Sequence, residues 1–259
     1  MPGALAVLAL LAVAALARPA GPIVLVVLVA AFIAIRTRRP TDAALVGAAI
    51  PVAVAIAWGG ADAPVSIAGD CANPLAPVAV WRLVEMTAVV AALAALLGLR
   101  TFARPAVVPF ERPSGALVGA LLALTVAVAV GALVIGPLAA QAFFGRFELE
   151  LAPLALVPAV VFGTTNAIAE EFAYRGVLRG GLVSALRSRR ANVAQAAIFA
   201  LAHTGPDFVG SPLPVLALMF VGAFIAGEVV VRTRSLLVPI ALHAAFDLPI
   251  FFYWACRLA

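Results

Sequence analysis

Lysine is absent from this sequence: all 17 of its basic residues are arginine. Charge of either sign is scarce, at 11% of residues, with only 12 acidic side chains. Soluble domains carry roughly a quarter charged residues, so this scarcity excludes an ordinary soluble protein and a disordered chain. The sequence has 2 cysteines, Cys71 and Cys256, and 2 histidines, His203 and His243. So few cysteines exclude a disulfide scaffold, and they lack the spacing of a metal-ligating pair. A basic balance of +5 often marks a nucleic-acid binder, but these arginines sit at the ends of apolar segments. That placement is a signal of membrane topology instead. Arginine without lysine, beside heavy use of alanine, reads as a compositional bias rather than as chemistry.

What fills the 259 residues is apolar: 65% are hydrophobic, and the mean hydropathy is +1.17. The apolar residues come in long runs, which defines an all-α polytopic membrane protein of eight or nine transmembrane helices. Candidate helices lie near 3–17, 22–35, 43–58, 78–99, 115–138, 154–180, 191–205, 213–231 and 235–255. Several fall short of the roughly 20 residues of a full span, and the first two could form one re-entrant hairpin. Ala15-Leu16-Ala17 resembles a signal-peptide cleavage site, but no positive charge precedes the apolar stretch, which argues for its retention.

Alternate loops carry most of the arginines, in the stretches 36–42, 100–113, 175–190 and 232–234. The positive-inside rule places these loops in the cytoplasm, and with them the N-terminus of a multi-pass protein of the cell membrane. Cys71 and Cys256 then share the opposite face, as a disulfide or as two free thiols. Nearly all polar intramembrane residues lie beyond about residue 154. The division expected is packing helices over 1–113 and a functional helical bundle over 114–259.

Charged groups inside a bilayer cost roughly 2.5–3.5 kcal/mol each on the insertion scale, so each needs a reason. Asn166-Ala167-Ile168-Ala169-Glu170-Glu171-Phe172-Ala173-Tyr174-Arg175-Gly176 places two adjacent carboxylates in an apolar helix. Glu171 and Arg175 are four apart with the acid first, which favours an ion pair on one face. Glu170 points about 100° away, with Tyr174 at its i+4 position. One carboxylate is thus neutralised by its neighbour, and the other is left to act as a general base. Asn166, one turn earlier, is placed to hydrogen-bond Glu170 or to act as helix–helix glue.

Phe199-Ala200-Leu201-Ala202-His203 sets a histidine one turn beyond a phenylalanine, and His243-Ala244-Ala245-Phe246-Asp247 sets a histidine and an aspartate on one face. An aspartate so placed can accept from an imidazole nitrogen and fix its tautomer. At about 1.5 Å per residue, Glu170 and His243 both lie on the order of 14 Å from the nearest arginine-marked end, and His203 on the order of 20 Å. The match holds if the glutamate helix ends near Arg179 and worsens if it runs on to Arg187.

Glu-Glu-x-x-x-Arg, then Phe-x-x-x-His, then His-x-x-x-Asp, in that order on successive apolar helices over about residues 155–250, resembles the CPBP family of intramembrane proteases. That family includes the eukaryotic CAAX prenyl endopeptidase and bacterial relatives linked to bacteriocin processing and immunity. The resemblance implies an intramembrane endopeptidase acting on a membrane-associated, CAAX-type peptide or protein. It assigns Glu170 as the catalytic glutamate that activates a water, His203 as its assistant, and His243 as stabiliser of the oxyanion, with Asp247 beside it. Glu171 and Arg175 match the supporting pair. Position 247 departs from the prenyl endopeptidase, which has asparagine there; an ionised carboxylate cannot donate to an oxyanion. Asp247 is expected to orient His243 instead.

The reaction is expected to need no cofactor. A catalytic zinc held by Glu170, His203 and His243 is the open alternative, although the His-Glu-x-x-His helix of common zinc proteases is absent. Two other functions fit the same residues: a proton-coupled transporter using them as a relay, and a non-catalytic membrane scaffold or immunity protein. Arg82 and Glu85, three apart, read as a structural pair within one helix, and Glu228 with Arg232 as a surface pair.

Overall fold

The computed structural model describes residues 2–60, 77–98, 115–144, 156–204 and 212–254. Among the described residues every regular element is helical: α1 (Pro2–Leu16), α2 (Gly21–Ile35), α3 (Pro40–Gly60), α4 (Pro77–Gly98), α5 (Gly115–Phe144), α6 (Leu156–Glu170), α7 (Arg179–Leu186), α8 (Ser188–Ala202), α9 (Pro212–Thr233) and α10 (Leu237–Trp254). A π-helical segment, Glu171–Leu178, joins α6 to α7 without a break. Cys71 and Cys256 lie outside the described residues.

Each expected apolar run is a helix, but length qualifies the span count. Among the described residues, Pro40–Trp58 and Leu216–Thr233 are long and apolar enough to cross a membrane. The apolar stretches Pro2–Leu16, Gly21–Ile35, Val118–Val134 and Leu237–Pro249 are shorter. The helices α1 and α2 have 15 residues each and meet at a 3₁₀ turn, Arg18–Ala20. Such a helix is about 22 Å long against a hydrocarbon core of about 30 Å.

Polar side chains are sequestered in an otherwise apolar interior, and the outer surface is also apolar. Glu85, Asn166, Glu170, Glu171, Arg175, Asn192, Gln195 and Asp247 are buried, while Ile23, Val26, Leu122, Val126 and Val134 stand exposed on the outer surface. Water would drive such apolar side chains inward; a lipid surround accepts them and forces polar groups to find partners inside. Helix α2 shows the sorting, burying Val24, Leu28 and Phe32 at four-residue spacing and exposing Ile23, Val26 and Val27.

Three contacts aim the polar residues at one another. Helix α6 packs along α10 and α4. Its approach to α10 depends on Gly163, where a Cβ would lie 3.0 Å from the Ala244 carbonyl oxygen and 3.1 Å from the Leu248 nitrogen. Helices α8 and α9 are joined by buried amides: Asn192 Nδ2 donates to Glu228 Oε1 at 2.8 Å and to the Phe224 carbonyl at 3.1 Å, and Gln195 Nε2 donates to the Ala223 carbonyl at 3.1 Å. Glu228 is therefore engaged with α8, not confined to the surface. Arg187, at φ 65°, turns the chain sharply between α7 and α8, a conformation that glycine adopts far more readily.

Candidate active site

The site forms where α6, the π segment, α8 and α10 meet. Glu170, the last residue of α6, has Oε2 3.6 Å from His243 Nε2 and Oε1 4.0 Å from His203 Nε2. Glu170, His203 and His243 therefore converge, although the glutamate helix does continue through the π segment to Leu186. Counting residues from an arginine measured distance along the chain, and helix tilt separates that from depth. Arg179 illustrates the difference: it is buried, and its Nη2 donates to Ser188 Oγ of α8 at 2.9 Å.

The expected pair forms: Arg175 Nη1 lies 3.1 Å from Glu171 Oε1, and both side chains are almost wholly buried. The same Glu171 oxygen lies 2.8 Å from His243 Nδ1. A carboxylate already paired with a guanidinium accepts, so His243 Nδ1–H donates to it. This corrects the role expected of Asp247. Its Oδ2 lies 3.4 Å from Nε2, the opposite nitrogen of His243. Asn166 takes the second of its two expected roles, helix–helix glue: its Nδ2 donates to Asp247 Oδ2 at 2.8 Å across α6 and α10.

These bonds constrain the protons. His243 Nε2 faces two carboxylate oxygens, from Glu170 and Asp247. With Nδ1–H spent on Glu171, a bare lone pair on Nε2 would face two anions in a largely buried site. At least one proton therefore resides among Nε2, Glu170 Oε2 and Asp247 Oδ2. Glu170 Oε2 is buried without a hydrogen-bond partner among the described residues, an arrangement that costs free energy at a merely structural carboxylate.

His203, the C-cap of α8, has the opposite polarity at its inward nitrogen. Its Nδ1 lies 2.8 Å from the Phe199 carbonyl oxygen, which can only accept. Nδ1 carries the hydrogen, and Nε2 of the neutral ring presents a lone pair toward Glu170. Phe199 holds this arrangement together. Its ring centre lies 4.4 Å from that of His203, 5.1 Å from Tyr174 and 6.3 Å from His243, and the Arg175 guanidinium sits over it at 4.1 Å. The regular four-residue spacing from Phe199 to His203 was the available signal for this role.

Two features escaped the sequence reading. The π segment has no spacing signature, yet it carries Glu171 and Arg175, and π-type irregularities occur frequently at functional sites. Arg82, read as half of an intrahelical pair, does bond Glu85, but its guanidinium also lies 5.9 Å from the Phe162 ring on α6. An arginine and a glutamate three apart in an apolar helix were the only hint.

Fold and site define an all-helical protein whose apolar exterior encloses a buried glutamate–histidine–aspartate centre. Residues 152–249 match the family model described as Rce1-like, type II CAAX prenyl endopeptidase. The match spans fewer than half of the 259 residues and includes every site residue named above except Arg82 and Glu85. No curated protein matches the chain.

Proposed function

We propose that the protein is an intramembrane endopeptidase that hydrolyses a membrane-associated, prenylated CAAX-type substrate with a water activated by Glu170. The observation that carries this reading is the convergence of Glu170 with His203 and His243 while Glu170 Oε2 has no hydrogen-bond partner among the described residues. The family model matching residues 152–249, described as a CAAX prenyl endopeptidase, supports the substrate class.

Glu170 Oε1 and His203 Nε2, 4.0 Å apart, both accept hydrogen bonds. A water between them would donate both protons and turn a lone pair toward the scissile carbonyl carbon. As the hydroxyl adds, Glu170 takes the released proton. His243, anchored through Nδ1, donates from Nε2 to the oxyanion when that nitrogen holds the shared proton. The carbon–nitrogen bond then breaks, and Glu170 passes its proton to the leaving amine. Asp247 bears on this step by holding the shared proton and by its bond to Asn166.

Zinc is the competing electrophile. A zinc, if bound, would fall to Glu170, His203 and His243; the residues' own chemistry favours protons alone. The arginine-rich loops are assigned to the cytoplasmic face, with the N-terminus beside them.

Reconstituting the protein in liposomes with a farnesylated CAAX peptide tests the reading. Cleavage should release a tripeptide, and the unprenylated peptide should react far more slowly. Intact peptide after prolonged incubation with folded protein would contradict the assignment, and a proton-driven flux in the same liposomes would redirect it to a transporter.

A further inference from the structure

We infer that Arg82 is a positioning residue of the Glu170–Asp247 centre, supplied by α4 from outside the Rce1-like segment; this rests on the proposed proteolytic reading of the same site. The geometry starts with Phe162, over which the Arg82 guanidinium lies at 5.9 Å. Phe162, Asn166 and Glu170 recur at four-residue intervals and so share one face of α6. Each interval rises about 6 Å. Arg82 therefore stands at the foot of the face that ends in Glu170. Helix α4 packs along α6, and Glu85, ion-paired to Arg82, is itself buried.

Charge counting gives Arg82 its task. Glu85, Glu170, Glu171 and Asp247 are buried, as are Arg175 and Arg179, while Arg82 is half-buried; Arg179 bonds Ser188. Arg175 is committed to Glu171 and to the face of Phe199. That leaves Arg82 as the cation paired with Glu85, set against Phe162 on the α6 face where Asn166, one turn on, holds Asp247 and Glu170 follows a turn later. Without it, the Glu85 carboxylate would lie buried beside this face without its arginine. An intrahelical pair that existed only to neutralise Glu85 has no reason to sit on this face. A guanidinium placed here sets the position and charge of the general base without touching the substrate.

Two measurements separate the outcomes. Melting temperatures of the full-length protein in detergent, for wild type, Arg82→Gln, Glu170→Gln and the double variant, read the coupling without any need for activity. Non-additivity of about 2–4 °C between the two substitutions is expected; strict additivity overturns the inference. Where the wild type cleaves the farnesylated peptide, Arg82→Gln should lower kcat by about tenfold to a hundredfold with KM little changed. Arg82→Lys should recover much of that loss. Arg82→Gln/Glu85→Gln removes both members of the pair and should stay as slow as Arg82→Gln. Recovery of wild-type kcat in that double variant would show that Arg82 merely neutralises Glu85, and would overturn the inference while leaving the protease reading intact. Absence of cleavage by wild type would sink the protease reading, and the melting cycle alone would then decide the coupling.

Discussion

Glu171 Oε1 is shared between Arg175 Nη1, at 3.1 Å, and His243 Nδ1, at 2.8 Å. One carboxylate oxygen thereby ties the π segment to α10 and fixes which imidazole nitrogen looks into the site. Glu171→Gln keeps the shape but leaves the Arg175 guanidinium buried without its counter-ion, a loss of about 3–5 kcal/mol. The melting temperature should fall by about 10 °C, and residual cleavage should be weak. A Glu171→Gln variant as stable as wild type would show that this pair does not hold the site.

Position 247 offers a cleaner separation of charge from hydrogen bonding. Asp247 accepts from Asn166 Nδ2 at 2.8 Å, and an asparagine oxygen can accept the same bond. Asp247→Asn should therefore fold normally and keep kcat within about tenfold of wild type, because its amide can also donate toward the oxyanion. Asp247→Ala leaves the buried Asn166 amide unsatisfied and should cost about 1–3 kcal/mol. A folded but inactive Asp247→Asn would mean that the carboxylate itself carries the shared proton through the reaction.

Much of this site could be read from spacing within single helices. The Glu171–Arg175 pair follows from i,i+4 geometry, and the two histidines announce themselves by being the 2 in the chain and by falling in apolar helices. Partners across helices could not be read. Asn166 meets Asp247 at a separation of 81 residues, and Glu171 meets His243 at 72. Which side chains face each other there depends on the rotation of α10 against α6, set by backbone packing at Gly163 and not by any motif. The same blindness made Arg82 look local.

Gly163 tests that packing directly. Its added Cβ would press on backbone atoms of α10, at 3.0 Å from Ala244 O and 3.1 Å from Leu248 N, and backbone cannot rotate away. Gly163→Ala should cost about 1–3 kcal/mol, seen as a lower melting temperature, with a fall in kcat as α10 shifts. A variant unchanged in both would show that α6 and α10 tolerate separation and that the site distances are less critical than argued.

Metal removal distinguishes the proton mechanism from zinc. Dialysis against 1,10-phenanthroline should leave cleavage unchanged, and elemental analysis of active protein should find zinc well below one per chain. Loss of activity on chelation, restored by added zinc, would make Glu170, His203 and His243 ligands.

Glu170→Gln carries the central claim, because it removes the base while keeping the side chain's size. Cleavage of the farnesylated CAAX peptide by the folded variant should fall by about a hundredfold to ten-thousandfold, with the melting temperature held or raised, since Glu170 Oε2 has no hydrogen-bond partner among the described residues to lose. Cleavage at the wild-type rate by a folded Glu170→Gln protein would contradict the glutamate–water mechanism.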